Sequence, residues 1–248
     1  MPQWVTAGGW GLLGGSSLLL GALVGYRARI PPRWIAGVMA FGSGVLISAL
    51  AFELMDEAFR RGGLGSAATG LLGGAAAFTA ATWWLNRRGA RHRKRSHGQP
   101  SERQDAGSGW AIAAGALLDG IPESLVLGVS MLESGKISAA AWVAVFISNV
   151  PEGLASAAGM RKAGRKAGYV FSLWGGICVI SGIASALGNA LLSGAPAFLI
   201  SSTMSVAAGA VLAMLVDTMI PEAFGEARDF AGLIAVAGFL VSFAISKS

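Results

Sequence analysis

Long apolar stretches without charge alternate along this chain with short breaks of charged residues or Pro/Gly pairs. Crossing a bilayer as a helix takes about 20 mostly apolar residues. Eight segments meet that requirement: 7–26, 34–52, 68–86, 110–132, 138–159, 168–192, 199–220 and 228–246. Among the breaks between them are 27–32, 60–63, 134–136 and 193–196. The pattern predicts an all-α integral membrane protein of eight transmembrane helices. Trp34, Trp83, Trp84 and Trp110 fall at span ends, where an amphipathic ring prefers the headgroup level. Residues 1–26 hold no Lys or Arg, so the first run lacks the positive start of a cleaved signal and reads as a retained helix.

The segment 87–108 is polar and basic, and its composition predicts disorder. It separates helices 1–3 (1–86) from central helices 4 and 5 (109–160), which helices 6–8 follow (161–248). His92 and His97 lie in it, where they could catch a metal loosely or simply belong to a solvated basic tether.

Charge then orients the chain. Of 19 Lys and Arg, 15 fall in the breaks after helices 1, 3, 5 and 7, and 4 fall on the opposite side. The positive-inside bias puts both termini outside the cytoplasm of a multi-pass cell-membrane protein. A net charge of +6 does not indicate a nucleic-acid binder, because the basic residues flank apolar runs rather than forming a face. The single cysteine, Cys178, excludes a disulfide within the chain.

Two internal likenesses emerge. Shifted by 165 residues, helix 2 overlays helix 7: Met39 meets Met204, Gly44 meets Gly209, Leu50 meets Leu215, and Glu57-Ala58-Phe59 meets Glu222-Ala223-Phe224. Shifted by 29, helix 4 overlays helix 5, with Ile121-Pro122-Glu123 on Val150-Pro151-Glu152. In each pair the two helices run in opposite directions. Inverted repeats around a midplane site mark many secondary transporters.

The candidate chemistry sits on helices 4 and 5, mid-span. Asp119 and Glu123 are spaced i, i+4 and share a helix face, as do Ser148 and Glu152; Asn149 and Glu152 are at i, i+3. Pro122 and Pro151 each free a carbonyl one turn earlier. An ionised carboxylate in mid-membrane is costly unless paired, and neither span holds a Lys or Arg. A bound cation is the simplest compensation; water or a protonated carboxyl comes next. Glu53, Asp56 and Glu57 end helix 2 on the outer side, where they either attract cations or are simply solvated. Asp217 and Glu222 end helix 7 on the inner side, with the same two readings for an exit. No nucleophile or histidine lies at membrane depth, so an enzyme is not expected.

At Asp119-Gly120-Ile121-Pro122-Glu123-Ser124 and Ser148-Asn149-Val150-Pro151-Glu152-Gly153 the chain resembles the ZIP family of divalent-metal transporters. That family reads approximately His-Asn-x-Pro-Glu-Gly and His/Gln-Asn/Asp-x-Pro-Glu-Gly at these places. Further likeness lies in Phe41–Leu46, Ser181–Gly188, Ala208–Ala210 and Ile220–Ala223. The resemblance implies transport of divalent cations into the cytoplasm by alternating access. It implies a metal site from Asp119, Glu123, Ser148 and Glu152, and an adjoining one from Gly120, Asn149 and the position of Ser185. Its cargo would be zinc by family, and it extends to a homodimer in the lipid bilayer. Asp119, Gly120, Ser148 and Ser185 depart from the family's His, Asn, His/Gln and Glu. Imidazole suits zinc, whereas an oxygen set suits magnesium, manganese or calcium; iron stays open. The missing ligands also motivate the alternative of a degenerate relative that senses metal or acts as a membrane scaffold without transport.

Overall fold

A chain segment without polar side chains can satisfy its backbone groups in an apolar surrounding only by pairing them internally, and a helix does so within one segment. The computed structural model describes residues 1–88, 90, 93–96, 99 and 108–247, and among the described residues there is no strand. The helices are α1 (Gln3–Arg27), α2 (Pro32–Ala49), α3 (Asp56–Asn86), α4 (Ser108–Ser134), α5 (Ala139–Lys162), α6 (Ala167–Leu192), α7 (Ala197–Met214), α8 (Ile220–Ala227) and α9 (Ala231–Ser246). Six helical runs are long and apolar enough to cross a membrane, and α9 adds a shorter apolar helix. Large apolar side chains such as Leu13, Leu72, Leu191, Leu233 and Leu240 face outward, while many serines and the carboxylates Asp119, Glu123, Glu152 and Glu222 are buried. This inversion of the soluble pattern is the build of a multi-pass membrane protein.

The run 32–86 is continuous by hydrogen bonding but is broken at Gly63, whose φ of 69° lies in the left-handed region open to glycine. The break falls within the expected 60–63 interruption. Helix α7 reaches further than expected: it passes through a π-type turn, Leu215–Met219, into α8. Pro221, which has no N–H to donate, lies just past that turn, and the helical run continues past it. The α2–α3 junction has the same device, a π-type turn at Leu50–Met55. The two turns begin 165 residues apart, the offset seen in the sequence.

Packing follows that offset too. Gly44 of α2 abuts the Ala235 carbonyl of α9, and Gly209 of α7 abuts the Leu71 carbonyl of α3. In the other direction, Gly238 of α9 abuts the Phe41 carbonyl and Gly74 of α3 abuts the Val206 carbonyl. Any Cβ at these glycines would collide with backbone, so the close approach depends on the missing side chain. Helix α1 is the pivot between the halves. Its Gly11 and Gly15 lie against Ser185 and Cys178 of α6, and its Gly21 and Gly25 against Val150 and Leu154 of α5. Trp34, Trp83, Trp84 and Trp110 are exposed together at the end of the bundle that carries most of the basic residues, with Arg87 over Trp83 and Arg88 over Trp84. We call this the basic end and the opposite one the Glu53 end.

Candidate functional site

Helix α5 is the most enclosed element: from Pro151 to Met160 every residue is buried. Its Glu152 faces the interior, as do Asp119 and Glu123 of α4, and none of the three is more than 4% exposed. Each carboxylate lies about three turns from the basic end of its helix or deeper. A charge at such depth must find a partner or a strong penalty follows.

The partners come from the polar segment. Arg93 grips Asp119 with both arms of its guanidinium, Nε donating to Oδ2 at 2.9 Å and Nη2 to Oδ1 at 3.0 Å. The Lys94 Nζ lies 2.6 Å from Glu152 Oε1 and 3.4 Å from Asp119 Oδ2. It is close in charge-to-charge distance but not aligned as a hydrogen bond to either. Arg93 and Lys94 are 2% and 4% exposed. This corrects two expectations. Arg93, Lys94, Ser96 and Gln99 are buried rather than solvated, with Arg95 exposed between them, and the mid-helix carboxylates do not lack a cation within the chain. The physical reason is that a buried carboxylate left without a compensating charge is strongly destabilising, and the segment supplies that charge.

The rest of the segment is fastened in the same way. Ser96 N donates to Glu222 Oε1 at 2.8 Å. Gln99 Nε2 donates to the carbonyls of Arg93, Arg95 and, on α5, Ser156. Gly115 of α4 and Gly159 of α5 form the notches that admit it: a Cβ on Gly115 would overlap the Arg93 side chain, and one on Gly159 the Arg95 carbonyl. At the Glu53 end α4 and α5 close on each other through Leu127, Ala141 and Val145. Towards the basic end the segment lies between them.

Glu123 stands apart. One turn beyond Asp119, its buried Oε1 has no hydrogen-bond partner among the described residues. It faces a cavity of ≈ 20 Å³ walled by Leu46, Leu50, Leu54, Val126 and Val145, room for about one water. The remaining expected ligands all take part in hydrogen bonds. Ser148 Oγ donates to the Val145 carbonyl, and Asn149 Nδ2 reaches the Gly14 carbonyl of α1 at 3.4 Å. Ser185 Oγ donates to the Ala7 carbonyl, also on α1. The Gly120 carbonyl accepts from Ser124 Oγ. Among the described residues no group of three or more His, Cys, Asp or Glu is gathered closely enough to hold a metal. His92 and His97 lie outside the described residues.

The other acidic groups are spread over both ends. Glu53, Asp56 and Glu57 line a cavity of ≈ 270 Å³ at the Glu53 end, with Arg60, Arg61 and Lys247 also in its wall. Asp56 pairs with Arg60 and Glu57 with Arg61, each across one helical turn at 2.5 Å. Glu53 accepts from Ser138 and Ser246, tying the start of α5 and the end of α9 to the α2–α3 junction. At the basic end Asp217 is exposed, whereas Glu222 is buried and holds the Ser96 amide.

Sequence reasoning missed Arg93, Lys94, Ser96 and Gln99. One signal was available: three mid-span carboxylates with no cation in their own helices, and a basic run directly before the first of those helices. Neither a scan of family models nor a search of the curated proteins finds a match to this chain.

Proposed function

We propose that this chain is a ZIP-like transporter. It moves divalent cations across the membrane, into the cytoplasm, by alternating access around the carboxylates of α4 and α5. The observation that carries this reading is Glu123, a buried carboxylate without a partner among the described residues, beside two more whose cationic partners come from outside their own helices. Counting 32–86 as two crossings divided at Gly63, and α9 as one, makes eight. The matched π-type turns and exchanged glycine contacts support an inverted repeat, the build in which such transport is common. The positive-inside bias then puts the basic end in the cytoplasm and both termini outside a cell membrane. The cavity beside Glu53, Asp56 and Glu57 would be the outer approach and the neighbourhood of Asp217 and Glu222 the inner one. An all-oxygen donor set favours manganese or magnesium over the zinc suggested by resemblance.

The test is uptake into proteoliposomes, screened over Zn, Fe, Mn, Co, Cd and Mg. Glu123→Gln and Glu152→Gln should each abolish uptake, and unimpaired uptake in both would overturn the assignment. A second reading has its own observation: Arg93 and Lys94 already neutralise Asp119 and Glu152, so the fold closes without metal. A degenerate relative, sensing metal or serving as a scaffold, would look like this. Calorimetry that finds no divalent cation bound by the purified chain or by any variant favours it.

A further inference from the structure

The docked pair Arg93–Lys94 brings two positive charges into a site of three carboxylates. A divalent cation would bring the same two. Lys94 Nζ sits between Glu152 and Asp119, where a cation bridging the two helices would sit, and the Arg93 fork engages both oxygens of Asp119. Either occupant would bring the same two positive charges to Asp119 and Glu152. Of the three, Glu123 has a buried oxygen with neither a hydrogen bond nor an ion pair among the described residues, whereas the Glu152 oxygen has Lys94 beside it.

Arg93 and Lys94 belong to neither helix that bears the carboxylates. Their segment is fastened by the Ser96–Glu222 hydrogen bond, by the Gln99 clasp and by two glycine notches. Withdrawing it breaks no helical turn of α4 or α5.

We propose that Arg93 and Lys94 are a tethered substitute for the cargo: segment docking and divalent-cation binding exclude each other at Asp119 and Glu152, so the segment is an inner gate that the ion itself displaces. This rests on the transporter reading above. In that reading a cation arriving from the Glu53 end expels the segment and opens its own exit, and an empty site draws the segment back and closes it. Both occupants meet the same buried carboxylates, so the closed state never leaves Asp119 and Glu152 unpaired.

The experiment uses the full chain in lipid nanodiscs, with Mn²⁺ as the probe. Apparent affinity falls by the fraction of molecules in the competent, undocked state, so Arg93→Gln/Lys94→Gln should bind Mn²⁺ about tenfold or more tightly than the unsubstituted chain. In parallel, acylation of Lys94 in the unsubstituted chain, read by peptide mass spectrometry, should be slow without Mn²⁺ and accelerate with it. Equal Mn²⁺ affinity in both proteins, with Lys94 still protected, overturns the exclusion and leaves the cation-transport reading intact. Absence of Mn²⁺ binding in both overturns the two together. The acylation readout needs no substitution. If the double variant does not fold, Mn²⁺ that binds without exposing Lys94 is sufficient to overturn the proposal.

Discussion

Two sets of ion pairs lie at different depths of this bundle, and they are built differently. At the Glu53 end Asp56–Arg60 and Glu57–Arg61 are partners one turn apart on the same helix, open to a cavity. Between α4 and α5 the partners are Arg93 with Asp119, 26 residues away, and Lys94 with Glu152, in a different helix altogether, and all four are buried. The first kind forms as soon as a helix forms and is screened by water and salt. The second exists only after several elements have assembled, and its removal strands a charge. Depth, more than the number of contacts, therefore decides which pairs the molecule depends on.

The largest effect should follow from breaking the buried set one-sidedly. Asp119→Ala leaves Arg93 without its bidentate partner, and we expect a loss of about 3–5 kcal/mol. Reversible unfolding in mixed detergent micelles measures it. Adding Arg93→Met to Asp119→Ala should recover much of that loss, because the stranded charge goes with it. A double variant no better than the single would mean that the pair is not the source of the cost. A smaller effect is expected from the notch. Gly159→Leu forces a side chain into the place of the Arg95 carbonyl and the Gln99 amide, an overpacking of about 1–3 kcal/mol. The segment should leave rather than α5 bend, so protease cleavage near Arg95 should accelerate while helix content stays constant. The smallest effect belongs to the outer set: Asp56→Ala should cost less than about 1 kcal/mol and lose even that in high salt. A cost at Asp56 equal to that at Asp119 would remove the distinction between the two regions.

These regions also mark where the sequence is informative. The break at Gly63 and the α6–α7 break before Pro196 could be read from local chemistry, because glycine and proline act on their own backbone. The offset of 165 could be read because a repeat leaves matching residues, and the structure adds matched turns and matched glycine contacts to it. The α4 and α5 carboxylates were readable because acidic residues in apolar runs stand out. Arg93 and Lys94 were not, because their surroundings in sequence are polar and only the fold brings them to Asp119 and Glu152. Ser148, Asn149 and Ser185 teach the converse. Their types suit a ligand, but each hydroxyl or amide is used on a backbone carbonyl, which spacing alone does not reveal.

The Ser96–Glu222 hydrogen bond joins residues 126 positions apart, which sets an order of biogenesis. A ribosome would release the Arg93 segment well before α5 and α8, the helices it must touch, have been made. Until then Asp119 enters the membrane without its final partner, and the segment waits outside with its charges in water. The full set of contacts that fasten the segment is therefore complete only once α8 has been made. A truncated chain ending before α8 would be expected to expose both the segment and the carboxylates, and so to be recognised by quality control as unfinished.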